Sequence, residues 1–413
     1  MAISTRNDLE QLDQDDPLAS FRQEFYLPEG AIYLNGNSLG AMPLKAAERS
    51  RQVVEKEWAE GLIGSMNTAG WYELPQSLGR KIAPLVGAKP NEVVVTDATG
   101  INLYKVVAAS LQVRPDRRVI VMEGSNFPTN NYMVQGLIEQ MRDGYAIRFA
   151  EADEIMDAID EDVAATCITH VHYKTGRIHD MAAITERAHS VGAAAVWDLC
   201  HTVGAMPVDL NASNVDFAVA CTYKYLNAGP GAPSLLFAAE RHHGKCLQPL
   251  TGWYGHADPF SFERDYRPAP DIRQMLSGTQ PTASLSTAEI GIDIMLRADM
   301  DEIREKSMRM TDIFIDLVER RCGGHNISLV SPRDAMRRGS QVSFFHEQGY
   351  SIIRAMHDHG VGCDYREPGN MRFGFAPLYI RYVDVWDTVE KLHDILDSGL
   401  WKESKYGERA AVT

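Results

Sequence analysis

The chain has 413 residues, 45% of them apolar and 23% charged, the balance of a soluble globular protein long enough for two domains. With 41 basic and 56 acidic side chains the formal charge is −15, which argues against nucleic acid or an anionic membrane as a partner. The six cysteines are scattered with no Cys-x-x-Cys pair, so reduced thiols are expected rather than a disulfide framework or a zinc site.

The polar stretch Met1–Asp8 lacks the apolar run of a signal peptide, and no later segment is apolar for long enough to cross a bilayer, so a cytoplasmic protein is expected. Residues 1–45 read as an amino-terminal arm with a short helix, a brief strand at Ala31–Leu34 and a turn-rich segment at Asn35–Gly40. Leu44–Gly61 and Trp71–Val86 have helical periodicity, and Gly87 ends the second. After Pro90 short apolar runs alternate with helical stretches. Strands are predicted at Val93–Thr96, Val119–Met122, Ala146–Phe149, Ala165–Ile168, Ala193–Trp197, Val215–Ala220 and Leu235–Phe237. That alternation predicts an α/β fold whose large domain, residues 46–300, holds a mainly parallel seven-stranded sheet.

Two long helices follow, Thr282–Leu296 and Met300–Arg321. Beyond them a strand at Gln341–Phe345, a helix at Tyr350–His359, a strand pair at Val361–Tyr365 and Met371–Phe375, and a helix at Val383–Leu396 make a small α+β domain over residues 301–413. The arm is expected to join this small domain. No internal repeat or low-complexity segment interrupts the pattern.

Two strand ends carry the chemistry. The run Val215–Ala220 delivers Lys224 just past its carboxyl end, where open α/β sheets build their sites and where a lysine can form a Schiff base with an aldehyde cofactor. The run Ala193–Trp197 ends in Asp198, a carboxylate suited to keeping the ring nitrogen of pyridoxal 5'-phosphate protonated. Alone, Lys224 reads as a surface lysine and Asp198 as a helix cap; together, each ending an apolar strand, they point to that cofactor. Thr96–Gly100 follows a strand and opens a helix, so its amides and the Thr99 hydroxyl suit a phosphate, although an N-cap explains Thr99 equally well. In Asn126–Asn130, Phe127 either lies over a flat cofactor or fills core. Arg372, a lone cation on an apolar strand, either clasps a substrate carboxylate or belongs to an internal ion pair.

These residues, with Tyr33–Gly40, Asn126–Thr129, Trp197–His201, Tyr223–Asn227, Gly252–His256, Gly278–Pro281 and Met371–Gly374, resemble kynureninase, a fold-type I pyridoxal phosphate enzyme of the aminotransferase class V group. The resemblance runs from about Ile32 to the carboxyl terminus. It implies hydrolysis of the Cβ–Cγ bond of L-kynurenine, or a ring-substituted kynurenine, to an anthranilate and L-alanine by a homodimer. It also implies roles: Lys224 as the Schiff-base lysine, Asp198 at the ring nitrogen, His201 beside the cofactor, and Phe127 stacked on its ring. Ala98, Thr99 and Tyr223 would hold the phosphate, with Thr129 and Asn130 nearby and Tyr223 also a proton donor. Trp253 and Thr279 would reach across from the partner subunit. Arg372 would bind the substrate's α-carboxylate, with Ser38 close by and Met66, Gly278 and Thr279 around the aryl group.

Two positions depart from the family pattern: Asn130 stands where an aspartate is usual, and Met66 where bacterial members tend to have tryptophan. The first would impair proton handling on the ordinary substrate, and the second would leave room for a ring substituent. Thr279 resembles members that prefer kynurenine itself. The rival readings are a cysteine desulfurase or lyase on the same scaffold, and a catalytically impaired relative that only binds ligand.

Overall fold

The computed structural model describes residues 5–409, so Met1–Ser4 of the polar amino-terminal stretch and residues 410–413 of the small domain lie outside the described residues. A seven-stranded sheet carries the molecule: β1 (Val93–Thr96), β2 (Val119–Glu123), β3 (Ala146–Ala150), β4 (Val163–Thr169), β5 (Ala194–Asp198), β6 (Phe217–Ala220) and β7 (Ser234–Ala238). Their order is β1-β7-β6-β5-β4-β2-β3, all parallel except β7, which runs antiparallel to both its neighbours. All seven expected strands form, with ends moved by a residue or two.

Alternation along these strands divides the interior. Val93, Val95, Ala195 and Trp197 face one apolar cluster, while Val94, Ala194 and Val196 face the other, so the strands are buried on both sides except at the β3 edge, where Ala146 and Phe149 are exposed. Small residues in β5 let α1 (Thr99–Ser110) lie close over β4 to β7, which brings the amino terminus of α1 to the carboxyl ends of the parallel strands. The connection from β2 passes Asn126 and Phe127 into α2 (Pro128–Met141), and α3 (Met181–Ser190) joins β4 to β5.

After α4 (Thr282–Met295) and α5 (Met300–Cys322) a second sheet forms from β8 (Ser328–Leu329), β9 (Gln341–Phe345), β10 (Asp364–Arg366) and β11 (Asn370–Gly374), in the order β8-β9-β11-β10. Phe314 of α5 packs against Phe344, Phe373 and Phe375 beneath it. The single strand expected over Val361–Tyr365 is two. Val361–Gly362 pairs in parallel with Ile32–Tyr33 of the arm, and β10 pairs antiparallel with β11. Buried Cys363 marks the change of partner, which an apolar run does not reveal. The helix expected over Leu44–Gly61 is α-helical only to Gln52 and continues as a π-helical segment, Val53–Trp58.

Candidate active site

At the carboxyl ends of β1, β2, β4, β5 and β6 lies a cavity of about 330 Å³. Among its lining residues are Lys224, Tyr223, Asp198, His201, Ala98, Thr99, Phe127, Thr129, Asn130, Arg372 and Ser38. Thus eleven residues singled out in the sequence, from four strand ends, the arm and the second sheet, converge on one space. Met66, Trp253, Gly278 and Thr279 do not line it within one chain. Met66 rests half-buried on the second apolar cluster, Trp253 packs on Tyr254 and Phe260, and Thr279 is exposed.

The Lys224 amine lies 3.0 Å from Nε2 of His201. Burial pushes that imidazole well below its ordinary pKa, and the charge of Lys224 adds to the effect, so the ring is neutral and accepts from the ammonium. Its other nitrogen, Nδ1, is buried with no partner among the described residues. The turn after the lysine is set from outside. Asn227 takes a positive φ of 54°, and the Gly40 amide donates to the Tyr223 carbonyl at 2.8 Å. A Cβ at Gly40 would collide with the Lys224 carbonyl oxygen and with Asn227, so glycine is required there.

Asp198 is 4% exposed. Its Oδ1 accepts from the Cys200 amide at 2.8 Å, and its Oδ2 from the Asn130 amide at 2.7 Å and the Thr169 hydroxyl at 3.4 Å. Asn126 organises this wall, its Oδ1 accepting from the Phe127 amide at 2.7 Å and from Thr169. Phe127 is left 44% exposed over the cavity, its ring edge-on to Tyr173 at 5.3 Å.

The opposite end is built for phosphate. Ala98 precedes α1 with no side-chain cap, leaving first-turn amides free, and the Thr99 and Ser234 hydroxyls lie 2.6 Å apart beside Tyr223. Burial pushes the Tyr223 phenol well above its ordinary range, so it keeps its proton. An amine, a buried carboxylate, an unpartnered imidazole nitrogen, an aromatic face and a helix amino terminus in one cavity fit pyridoxal phosphate.

Of the two readings of Arg372, the internal ion pair is the one the structure contains. Its guanidinium forms an ion pair with Asp364, Nε donating at 2.7 Å, and donates also to the Ser38 hydroxyl at 2.8 Å and the Tyr173 carbonyl, yet it lines the cavity. Burial alone would raise the Asp364 carboxyl; Arg372 more than offsets this and holds it below its usual range. Arg366, Tyr173 and Ser234, which line the cavity, and Asp364, which holds Arg372, were not singled out in the sequence. The pairing of β10 with β11 puts Asp364 opposite Arg372, and the one available signal was an acid inside an apolar stretch.

Over its whole length the chain is 51% identical to the kynureninase of Burkholderia mallei, covering all of both sequences, and 49% identical to that of Pseudomonas fluorescens, again in full. The chain belongs to the kynureninase family. Residues 303–392 match the kynureninase C-terminal domain, the region that supplies Asp364, Arg366 and Arg372 to the site. Among solved structures, a cysteine desulfurase of Thermococcus onnurineus superposes with a TM-score of 0.77 at 19% identity, covering 92% of this chain and 98% of that one. The cystine lyase C-DES, carrying a Lys→Ala substitution and glycine linked to its cofactor, gives 0.76 at 15%. At such identities the likeness is one of fold, which is how kynureninases and desulfurases share a scaffold. Neither Cys363 nor Cys322 suits the desulfurase reading. Cys363 is buried and pushed well above its ordinary pKa, Cys322 is pushed up to about 12 by burial, and Cys200, which lines the cavity, is raised by its contact with Cys221 and by burial.

Proposed function

We infer that the chain cleaves the Cβ–Cγ bond of L-kynurenine, or a ring-substituted kynurenine, by hydrolysis to the anthranilate and L-alanine, with pyridoxal 5'-phosphate as cofactor. The observation that carries this reading is the meeting of Lys224, Asp198 and Arg372 in one cavity of a chain that matches kynureninases over its full length.

When bound, the cofactor supplies an electron sink for the carbons next to the amino group. The chain's own groups do the rest. Asp198, held by the Cys200 and Asn130 amides, presents its carboxylate to the ring nitrogen. Lys224 Nζ, 3.0 Å from Nε2 of the neutral His201 ring, moves the proton at the α-carbon. Arg372 Nη1, which donates to the Tyr173 carbonyl and has a second N–H, takes the α-carboxylate beside Ser38. Tyr223, protonated, delivers a proton at the β-carbon after cleavage. Thr129 and Phe127 close the cofactor face.

We propose that Trp253, Thr279, Gly278 and Met66, which lie outside the cavity of their own chain, complete the cavity of a second subunit in a homodimer. Exposed apolar side chains near Trp253 favour this reading: Phe262 is 84% exposed, and Phe260 links Phe262 to Tyr72 and Trp253. Met66 in place of a larger ring favours a substituted aryl group. The arm with residues 301–413 would act as the small domain against residues 46–300, in the cytoplasm. No helix among the described residues is long and apolar enough to cross a membrane.

Borohydride reduction of the cofactor-saturated protein, followed by peptide mass mapping, tests the assignment of Lys224. A pyridoxyl adduct on the peptide carrying Lys224 is expected; an unmodified Lys224 would contradict the reading.

A further inference from the structure

The cavity contains a second guanidinium, Arg366, to which the chemistry above gives no task. It stands on β10 across from Asn370, two residues beyond Asp364, and the two arginines share one carboxylate. Asp364 Oδ2 accepts from Arg372 Nη2 and from the Ser38 hydroxyl, and lies 3.0 Å from Arg366 Nη2. The arginines differ in what they leave free. Arg372 is 2% exposed, and four of its N–H groups are committed to Asp364, Ser38 and the Tyr173 carbonyl. Arg366 is 31% exposed, and among the described residues its partners are Asp364 and the Tyr365 carbonyl, to which it donates at 2.7 Å, leaving N–H groups open to the cavity. Two cations with one acid between them leave a net positive charge beside the bound substrate.

That surplus matches the charge balance of the reaction, on whose assignment this inference rests. The substrate enters with one carboxylate and leaves as two acids. The water oxygen bonds to the γ-carbon, and its carbonyl oxygen carries negative charge until the γ–β bond breaks. The electron pair of that bond passes to the β-carbon, which takes one proton, and the second water proton is lost as the new aryl acid ionises. The α-carboxyl carbon and the γ-carbon are three bonds apart, so their oxygens need two neighbouring cations rather than one. We propose that Arg366 is a catalytic residue that stabilises the oxyanion developing at the γ-carbon and then holds the carboxylate of the departing aryl acid, while Arg372 keeps the α-carboxylate. A planar donor fork in a partly desolvated cavity suits both tasks.

The test compares the cofactor-loaded parent with Arg366→Gln and Arg366→Lys in three measurements: anthranilate release from L-kynurenine, titration of the cofactor absorption band with L-alanine, and binding of anthranilate alone by equilibrium dialysis. L-Alanine has the α-carboxylate without the γ-oxygen; anthranilate has the aryl carboxylate alone. For Arg366→Gln, kcat is expected to fall by about 10²- to 10³-fold, as for loss of an oxyanion donor. Anthranilate binding should weaken about tenfold or more while L-alanine binds as to the parent. Arg366→Lys should recover part of both losses. Unchanged anthranilate binding in Arg366→Gln would overturn the proposal. A parallel loss of L-alanine and anthranilate affinity would also overturn it, assigning Arg366 to the α-carboxylate or to folding. A parent that releases no anthranilate from kynurenine, yet binds anthranilate in an Arg366-dependent way, would remove the proposed substrate and keep the aryl-acid site.

Discussion

Asn130 shows how one atom exchanged for another changes a site. Its Nδ2 donates to Asp198 Oδ2 at 2.7 Å, and both side chains are buried. An aspartate there would face Asp198 carboxylate to carboxylate, and one of the pair would have a raised pKa. A carboxyl whose folded pKa is raised costs stability as pH climbs above its unfolded value near 3.9, with the cost complete above the folded value. Apoprotein Asn130→Asp should therefore melt below the parent at pH 8, by about 1–3 kcal/mol of stability, and converge on it only as pH falls below about 4. Equal melting at both pH values would remove the carboxylate pairing. If Asn130 also limits proton handling, the same variant should release anthranilate faster than the parent. Arg372 illustrates what a sequence can and cannot reveal at this scale. Its isolation on an apolar strand was visible and demanded a partner. Which partner was not visible, because Asp364 meets it only through the cross-strand register of β10 and β11. Arg366 escaped for the same reason: an arginine before Glu-Pro reads as an ordinary turn residue.

At the scale of elements, the strands of the main sheet were legible because most are short apolar runs bounded by turn residues and buried on both faces, the edge strand β3 excepted. Two features were not. The break at Cys363 depends on the arm returning to pair with Val361–Gly362, a contact more than 300 residues distant in sequence. The π-helical segment at Val53–Trp58 keeps a helix-like pattern while its hydrogen bonds shift. The lysine loop depends on a third element, the turn at Gly40, and Gly40→Ala should push Lys224 out of place. Borohydride labelling of that lysine should fall, with the loss exceeding any fall in melting temperature; full labelling would show that the loop holds itself. Elsewhere Asp216, buried at the start of β6, ties together His189 of α3, His242, Arg241 and the Ala195 amide. Burial would raise its carboxyl, but the two histidines and the amide outweigh this and hold it far below its usual range. Its contribution is therefore fully present above pH about 4 and lost as pH falls further. Asp216→Asn should cost about 3 kcal/mol in urea unfolding at pH 7, with the gap to the parent shrinking below pH 4. A gap that stays constant with pH would mean the tie is not electrostatic.

At the scale of the whole molecule, the residues of the predicted site divide into those that meet in one cavity and those that stand outside it beside exposed aromatic rings. A site shared between two subunits reconciles the two groups, and Phe262→Asp tests it. Sedimentation should show the parent as a dimer and the variant shifted toward monomer, with turnover falling in proportion to the dimer lost. A monomeric parent that is fully active would contradict the shared site. The acidic charge of −15 fits a small-molecule enzyme, and on the proposed reading the cations that meet the substrate would be Arg366 and Arg372 of the cavity. The thiols separate this account from the desulfurase reading. Cys322→Ala and Cys363→Ala should each leave turnover intact with the cofactor retained, because both thiols are buried and pushed above their ordinary range.

The most direct measurement follows anthranilate fluorescence during incubation of the cofactor-saturated protein with L-kynurenine and with ring-substituted kynurenines, beside Lys224→Ala and Met66→Trp. The account predicts release of the aryl acid by the parent, none above background with Lys224→Ala, and a shift of preference toward unsubstituted kynurenine in Met66→Trp. An inert parent, or a Lys224→Ala variant as active as the parent, would contradict it.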